Sequence, residues 1–433
     1  MHNGNGHGEI ADTAPSSGRR NVMLVAGGSA FSAVAMYIVM MIGARTLTAY
    51  DAATLLVFIA AYQLVTGLLS GVTTELTRTM ANARVSGRTD GPRVRSVIGV
   101  TSLALGAVVI ASSPLWISAF PASRSALVAA LTVTAIGFSG HAAMVGALGG
   151  RAAWGGAASA VSLEALVRLV GTCLAALLGL ALLGFAGALA VASFAWLLLV
   201  ALSPDARRTL EARTDVATAQ LVRRLLAAVG ALAASSLLMA GYPLLLSLTT
   251  PAREIAASPA LLQAISLTRA PLLIPLMAFQ TMLIALFIDH RDRAARTLAM
   301  LGAGLAAITV VGAVLAWLIG PWLMRVLFTY EIGGSTLALL TAAAGILAGI
   351  SLAGALCQAL EHHASFIAGW ALACIVSILL LLVPGTITTR ALLSLLIGPT
   401  VGLVAMAPAI LASARDGRHA RQEHRPTDRG TAL

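Results

Sequence analysis

Residues 22–44 read VMLVAGGSAFSAVAMYIVMMIGA and contain no charged side chain. A helix needs about 20 apolar residues to cross a hydrocarbon core about 30 Å thick, so this stretch is long enough to span a membrane. It exceeds the roughly 7–15-residue core of a secretion signal and has no clear cleavage site, which makes it a retained first span. Residues 1–20 are rich in Gly, His, Asn and Ser and lack periodicity, and they read as a disordered tail. Beyond the first span, similar apolar runs recur at residues 52–74, 96–120, 126–148, 159–179 and 184–202. After a polar break come six more, at 225–249, 261–288, 297–319, 336–356, 364–383 and 391–413. The expected fold is an all-α polytopic membrane protein with about 12 transmembrane helices.

Composition supports that class. Only 10% of the 433 residues are charged and 58% are apolar, whereas a soluble domain carries roughly 25% charged residues. The mean hydropathy of +0.91 agrees, and a large soluble domain is excluded. All 28 residues of the Lys+Arg count are Arg. Without Lys there is no P-loop, which needs one on the phosphates, and no Schiff-base chemistry, which needs its amine. No cofactor is implied. Cys173, Cys357 and Cys374 sit in or beside apolar runs at no metal-ligand spacing and offer no disulfide framework.

Arginine also orients the chain, because short cytoplasmic loops accumulate basic residues. With the N-terminus inside, 21 of the 28 arginines fall on the cytoplasmic side. Five, namely Arg45, Arg124, Arg253, Arg325 and Arg390, fall opposite, and Arg168 and Arg269 lie within spans. A miscounted span would scramble this asymmetry, so both termini are expected in the cytoplasm and the protein in the cell membrane. The long loops 80–95 and 203–224 hold Arg without interleaved aromatics. Topogenic charge and anionic lipid headgroups account for them, and no nucleic-acid partner is expected.

Sliding the chain against itself by about 208 residues superimposes Ala44-Arg45 on Ala252-Arg253 and Gly146-Ala147-Leu148 on Gly354-Ala355-Leu356. Six spans per repeat is an even number, so the halves are expected to be parallel repeats, a common transporter plan. The resulting organisation is a tail (1–20), an N-terminal lobe of six helices (21–202), an inter-lobe linker (203–224), a C-terminal lobe of six helices (225–413) and a basic tail (414–433).

Ionisable groups inside spans are costly and mark functional sites by default. Arg269 is the strongest candidate. Pro271 and Pro275 follow it closely, and their missing N–H groups can bend or open the helix. Freed carbonyls are tolerated where they line a cavity, and a guanidinium beside them suits a phosphate through its forked donors. Glu164 and Arg168 share one helical face at i,i+4. They read as a structural pair that eases insertion, or as the edge of a substrate path. His141 titrates near neutrality in water and could relay protons, or be packed and hydrogen-bonded. Tyr37, Gln63 and Gln280 are polar points suited to a cleft. Glu75 and Arg78 mark the cytoplasmic end of the second span as anchors or a gate. His362 and His363 have only Glu361 beside them, so no metal site is expected.

The stretch Ile42-Gly43-Ala44-Arg45-Thr46-Leu47-Thr48-Ala49-Tyr50-Asp51, followed by Gly71-Val72-Thr73-Thr74-Glu75-Leu76-Thr77-Arg78, resembles the opening of polysaccharide-transporter flippases. Leu327-Phe328-Thr329-Tyr330-Glu331 and Leu360-Glu361-His362-His363 resemble that family's second half. Thr329 stands where the family has Gly, and Asp51-Ala52 lacks its Tyr-Gly step. The resemblance implies membership of the multidrug/oligosaccharidyl-lipid/polysaccharide (MOP) exporter superfamily: two pseudo-symmetric six-helix lobes moving a lipid-linked glycan outward by alternating access. Cationic residues would hold the lipid phosphates in a cavity lined by the first, second, seventh and eighth spans. By position this nominates Arg269 as substrate-binding, with Arg45 and Arg78 at the two ends of the cleft. Implied partners are the lipid-linked glycan, membrane lipids, and glycosyltransferases or a polymerase of the same pathway.

The rival readings differ in what they require. A cation-coupled multidrug antiporter of this fold calls for an acidic residue in the first span, and residues 22–44 have none. A membrane-embedded glycosyltransferase needs catalytic carboxylates on an exposed loop, yet Asp51, Glu254 and Glu331 are scattered one to a loop. An enzyme is therefore not expected. A non-transporting membrane protein of glycan assembly stays open on sequence grounds.

Overall fold

The computed structural model describes residues 14–278, 280–289, 294–408 and 411. Among them, 12 helices are long and apolar enough to cross a membrane, the number read from the sequence. The first half comprises α1 (Ala14–Thr46), α2 (Ala49–Ser86), α3 (Val94–Trp116), α4 (Arg124–Gly150), α5 (Trp154–Leu177) and a sixth span in two pieces, α6 (Ala181–Ala192) and α7 (Ala195–Leu202). A short α8 (Pro204–Glu211) leads to a seventh span that is also interrupted, as α9 (Thr218–Met239) and α10 (Tyr242–Leu248). Then follow α11 (Ala252–Ala256), α12 (Pro259–Ala278), α13 (Gln280–Asp289), α14 (Ala294–Leu318), α15 (Gly320–Phe328), α16 (Gly334–Ala359), α17 (His363–Leu381) and α18 (Ile387–Ala405).

Local chemistry explains where these helices begin and end. The Thr48 hydroxyl caps α2 by accepting from the Asp51 N–H at 3.1 Å, with the Asp51 carboxylate favoured in the first turn by the helix dipole. Gly87 ends α2 at φ 72°, a left-handed conformation that glycine adopts at no steric cost. Ser203 caps α8, and Pro204 occupies its first turn, where no N–H is needed.

The two halves pack in the same order. In each, the fourth span is flanked by the second and third: α2 and α3 on α4, α12 and α14 on α16. Likewise α1 lies on α5 as α9 lies on α17, and α5 on α6 as α17 on α18. The turn closing the fourth span is duplicated bond for bond. Arg151, Ala152 and Ala153 donate to the carbonyls of Ala147, Gly149 and Leu148, while Leu360, Glu361 and His362 donate to Leu356, Gln358 and Cys357. Ala152 and Glu361 both sit at φ 61°. The spans α2 and α16 are each 67% buried over their apolar windows, whereas α14 is 0% buried and faces outward.

In a bilayer apolar side chains gain little by leaving lipid, so tight helix contacts rely on small residues and interhelical hydrogen bonds. The contact of α4 with α2 uses both. A Cβ on Gly146 would lie 2.5 Å from the Thr73 carbonyl, and one on Gly150 2.5 Å from that of Thr77. The hydroxyls of Thr73 and Thr77 donate to the carbonyls of Ala142 (3.1 Å) and Gly146 (3.2 Å).

A polar knot ties α1, α2 and α5 together. Glu164 and Arg168 are each 3% exposed. Arg168 Nη1 donates to both Glu164 oxygens at 2.8 and 3.1 Å, and Nη2 donates to the carbonyl and hydroxyl of Ser32, each at 3.0 Å. The Tyr62 hydroxyl donates to Glu164 Oε1 at 2.8 Å. Buried ions tolerate burial only when paired and hydrogen-bonded, and these are. His141 is buried with its ring centroid 4.7 Å from that of Phe138, and its Nδ1 has no partner among the described residues.

Two outcomes are expected for thermal unfolding of the purified protein in detergent. Gly146→Val overpacks the contact of α4 with α2 and should cost about 1–3 kcal/mol. Gly99→Val, where a Cβ meets nothing within 4 Å, should stay within roughly 0.5 kcal/mol of the parent. Arg168→Met strands the Glu164 charge and should cost about 3–5 kcal/mol, whereas Glu164→Leu with Arg168→Met should recover most of that loss.

Candidate substrate cavity

The interrupted seventh span builds the site. Sequence alone draws residues 225–249 as one continuous helix, but the helix stops at Ala240 and restarts after Gly241, with Pro243 in the first turn of α10. Proline has no N–H to give the carbonyl four residues back, so the Met239 oxygen loses its helical donor. Arg269 of α12 supplies the replacement: Nη1 donates to the carbonyls of Leu238 at 2.9 Å and Met239 at 3.0 Å. The guanidinium carbon also lies 5.0 Å from the centroid of the Tyr242 ring, a cation–π arrangement. The Tyr242 hydroxyl donates to the Ala391 carbonyl at 3.2 Å, which holds that ring in place. The freed carbonyls beside Arg269 therefore come from α9 rather than from its own helix. Contrary to the expectation of a break at Pro271 or Pro275, α12 runs through both prolines.

Arg269 Nη2 is buried and has no hydrogen-bond partner, and no carboxylate among the described residues pairs with Arg269, which is 7% exposed. It forms part of the wall of a cavity of about 320 Å³ between the two halves, a size typical of small-molecule sites. Tyr37 and Gln63 also line it. The Tyr37 hydroxyl donates to the Ser266 carbonyl at 3.0 Å, joining α1 to α12 one turn before Arg269. Further lining comes from Ser70, Ser235, Ser236, Ser351, Gln358, Phe366 and Trp370, which sequence reading did not single out. The pair Ser235-Ser236 inside an apolar span and Gly241-Tyr242-Pro243 after it were the available signals. The side chain of Gln280 lies outside the described residues.

Arg45 and Arg78 do not line this cavity; they join contacts at opposite ends of the bundle. At the arginine-rich end, Glu75 is buried and binds Arg78 through both oxygens at 2.8 and 3.1 Å. The same carboxylate is 3.8 Å from Arg224 of the second half. Alongside, a Cβ on Gly71 would lie 3.0 Å from the backbone of Ala228 and Val229. The α2–α3 loop also pairs with the segment after α8, through Gly91 N–H to the Thr214 carbonyl (2.9 Å) and Thr214 N–H to that of Pro92 (3.1 Å). At the opposite end, exposed Arg45 donates to the last carbonyls of α15, Leu327 at 3.0 Å and Val326, where the helix dipole favours a cation. The halves thus touch at both ends, with the cavity between.

No protein-family profile matches the chain. Uncharacterized protein Rv1510 of Mycobacterium tuberculosis is 37% identical over 407 residues, covering 91% of this chain and 93% of that protein. Uncharacterized protein Rv3630 of the same organism is 36% identical over 415 residues, covering 91% and 95%. Among solved structures, the inward-facing conformation of a multidrug resistance MATE family transporter of the MOP superfamily matches with TM-score 0.65 at 15% identity, covering 92% of this chain and 96% of that one. The lipid II flippase MurJ in its inward closed conformation matches with TM-score 0.60 at 14% identity, covering 90% of each. A MOP superfamily transporter from Pyrococcus furiosus, described as having a binding pocket of reverse polarity, matches with TM-score 0.61 at 13% identity, covering 91% and 96%. Two six-helix halves around a central cavity with this packing order are the MOP fold, and by sequence the chain belongs to the family of the mycobacterial proteins Rv1510 and Rv3630.

Proposed function

We propose that this protein exports an anionic lipid-linked glycan across the cell membrane by alternating access. The observation that carries the reading is Arg269, a buried guanidinium in the central cavity wall with Nη2 unpartnered and no carboxylate beside it among the described residues. A buried charge without a counter-ion is costly, and a phosphate that completes its fork removes the cost. Around it, serine and glutamine side chains offer hydrogen bonds to sugar hydroxyls, and Phe366 and Trp370 add aromatic surface. The substrate would enter from the cytoplasmic leaflet, where the glycosyltransferases of its pathway act, with its lipid chain left in the bilayer.

Export of cationic drugs coupled to an ion is the rival reading for this fold. The cavity's charge is unsuited to a cation, the first span has no acidic residue, and the two buried carboxylates described in the first half are held, Glu164 by Arg168 and Tyr62 and Glu75 by Arg78.

Depletion of the protein in cells should accumulate a lipid-linked glycan in the cytoplasmic leaflet, and Arg269→Gln should fail to reverse this while Arg269→Lys restores it in part. Unchanged lipid-linked pools with altered drug susceptibility would favour the antiporter. A Cβ on Gly67 would be 3.4 Å from the Ser236 Cβ across the two halves, close to disulfide geometry. In a background with Cys173, Cys357 and Cys374 replaced by Ala, Gly67→Cys with Ser236→Cys should stop transport on oxidation and resume it on reduction. Undiminished transport by the cross-linked protein would rule out rocking of the halves.

A further inference from the structure

The charge inventory of the cavity narrows the substrate class. Among the described lining residues Arg269 is the one charged side chain, and residues 277–282, on the same stretch of the eighth span, include no ionisable type. Part of that single charge is already engaged. Nη1 is committed to two carbonyls and one face of the guanidinium is covered by Tyr242, while Nη2 is buried and unpartnered. Of the other arginines described above, Arg78 and Arg224 are paired with Glu75, Arg45 with α15 carbonyls, and Arg168 with Glu164.

From this balance, and resting on the reading of Arg269 as a phosphate-binding residue, we infer that the cavity takes a lipid phosphodiester bearing one negative charge, a prenyl monophosphate-linked sugar, in preference to a diphosphate-linked one. A phosphodiester carries one charge shared by two non-bridging oxygens, which balances the single guanidinium and can accept from its unpartnered Nη2. A diphosphate diester brings a second charge into a low-dielectric wall that has no cation to meet it, and an unmet buried charge is strongly unfavourable. The remaining polar lining, including Gln63, Ser236, Ser351 and Gln358, is neutral and suits the hydroxyls of a sugar rather than a second phosphate.

The test uses the full chain in nanodiscs and three probes: a prenyl monophosphoryl hexose, the corresponding prenyl diphosphoryl hexose, and phosphatidylglycerol, a monoanionic phosphodiester without the prenyl chain or hexose. The expected result is that the monophosphoryl hexose binds at least tenfold more tightly than either of the others, and that Arg269→Gln erases this difference. Gln63→Arg, which adds a second cation to the wall, should shift the preference at least tenfold toward the diphosphate. Equal or tighter binding of the diphosphate by the parent protein, still dependent on Arg269, overturns the single-charge inference and leaves the flippase reading intact. Phosphatidylglycerol binding as tightly as the monophosphoryl hexose overturns the assignment to a prenyl-linked sugar. Binding of both prenyl probes unchanged by Arg269→Gln, or of neither, overturns the flippase reading itself. If Arg269→Gln fails to fold, the Gln63→Arg shift decides alone, and its absence overturns the inference.

Discussion

A single guanidinium and the break in the helix opposite it depend on each other. Arg269 is held in the protein interior because α9 stops at Ala240, and the carbonyls released there are met because Arg269 reaches them. Remove the break and the arginine loses the acceptors that make its burial tolerable. Without the arginine, carbonyls at membrane depth would need another donor. Tyr242, the first residue after the break, places its ring against the guanidinium. The contact between α9–α10 and α12 is thus electrostatic as well as steric, and it fixes the cavity wall on the side of the second half.

The two halves share a packing order but handle buried charge differently. In the first, Arg168 is neutralised by Glu164 and tied to α1 and α2 by hydrogen bonds, so the charge serves to lock three helices. In the second, Arg269 meets carbonyl dipoles and an aromatic face, neither of which carries a full negative charge. Duplicated architecture with unlike polar content gives one half whose buried arginine within a span is paired and one half with an unmet charge in the wall of the cavity between them. Contacts between the halves combine apolar packing of α2 on α9, α10 and α12 with polar contacts at each end, Glu75 with Arg224 at one and Arg45 with the end of α15 at the other.

Much of this architecture was legible in the sequence because the bilayer imposes a length on every span. The twelve spans and the repeat follow from apolar runs and a self-match, and Tyr37, Gln63 and Arg269 stood out as polar side chains in those runs. The turn carrying Ala152 and Glu361 repeats its hydrogen bonds at an offset of 209 residues while its side chains differ, so the match of Gly146-Ala147-Leu148 to Gly354-Ala355-Leu356 at 208 is one residue out of register there. Ser351, Gln358 and Trp370 could not be assigned to a cavity in advance, because in a membrane helix both the lipid face and the core face are apolar and periodicity does not separate them.

By itself, the sequence determined that the chain is a membrane bundle of two six-span halves and that one arginine within a span lacks a carboxylate in its own helix. Hydropathy and spacing are local properties, and they suffice for that. Tertiary structure alone decided that Arg78 and Arg45 bind to the protein itself, that the decisive break lies in the seventh span and not at Pro271 or Pro275, and that Arg269 lies in a cavity wall with one nitrogen unpartnered. Each of these depends on which groups from distant parts of the chain reach a given carbonyl or charge, and that is a question of proximity that no one-dimensional pattern contains.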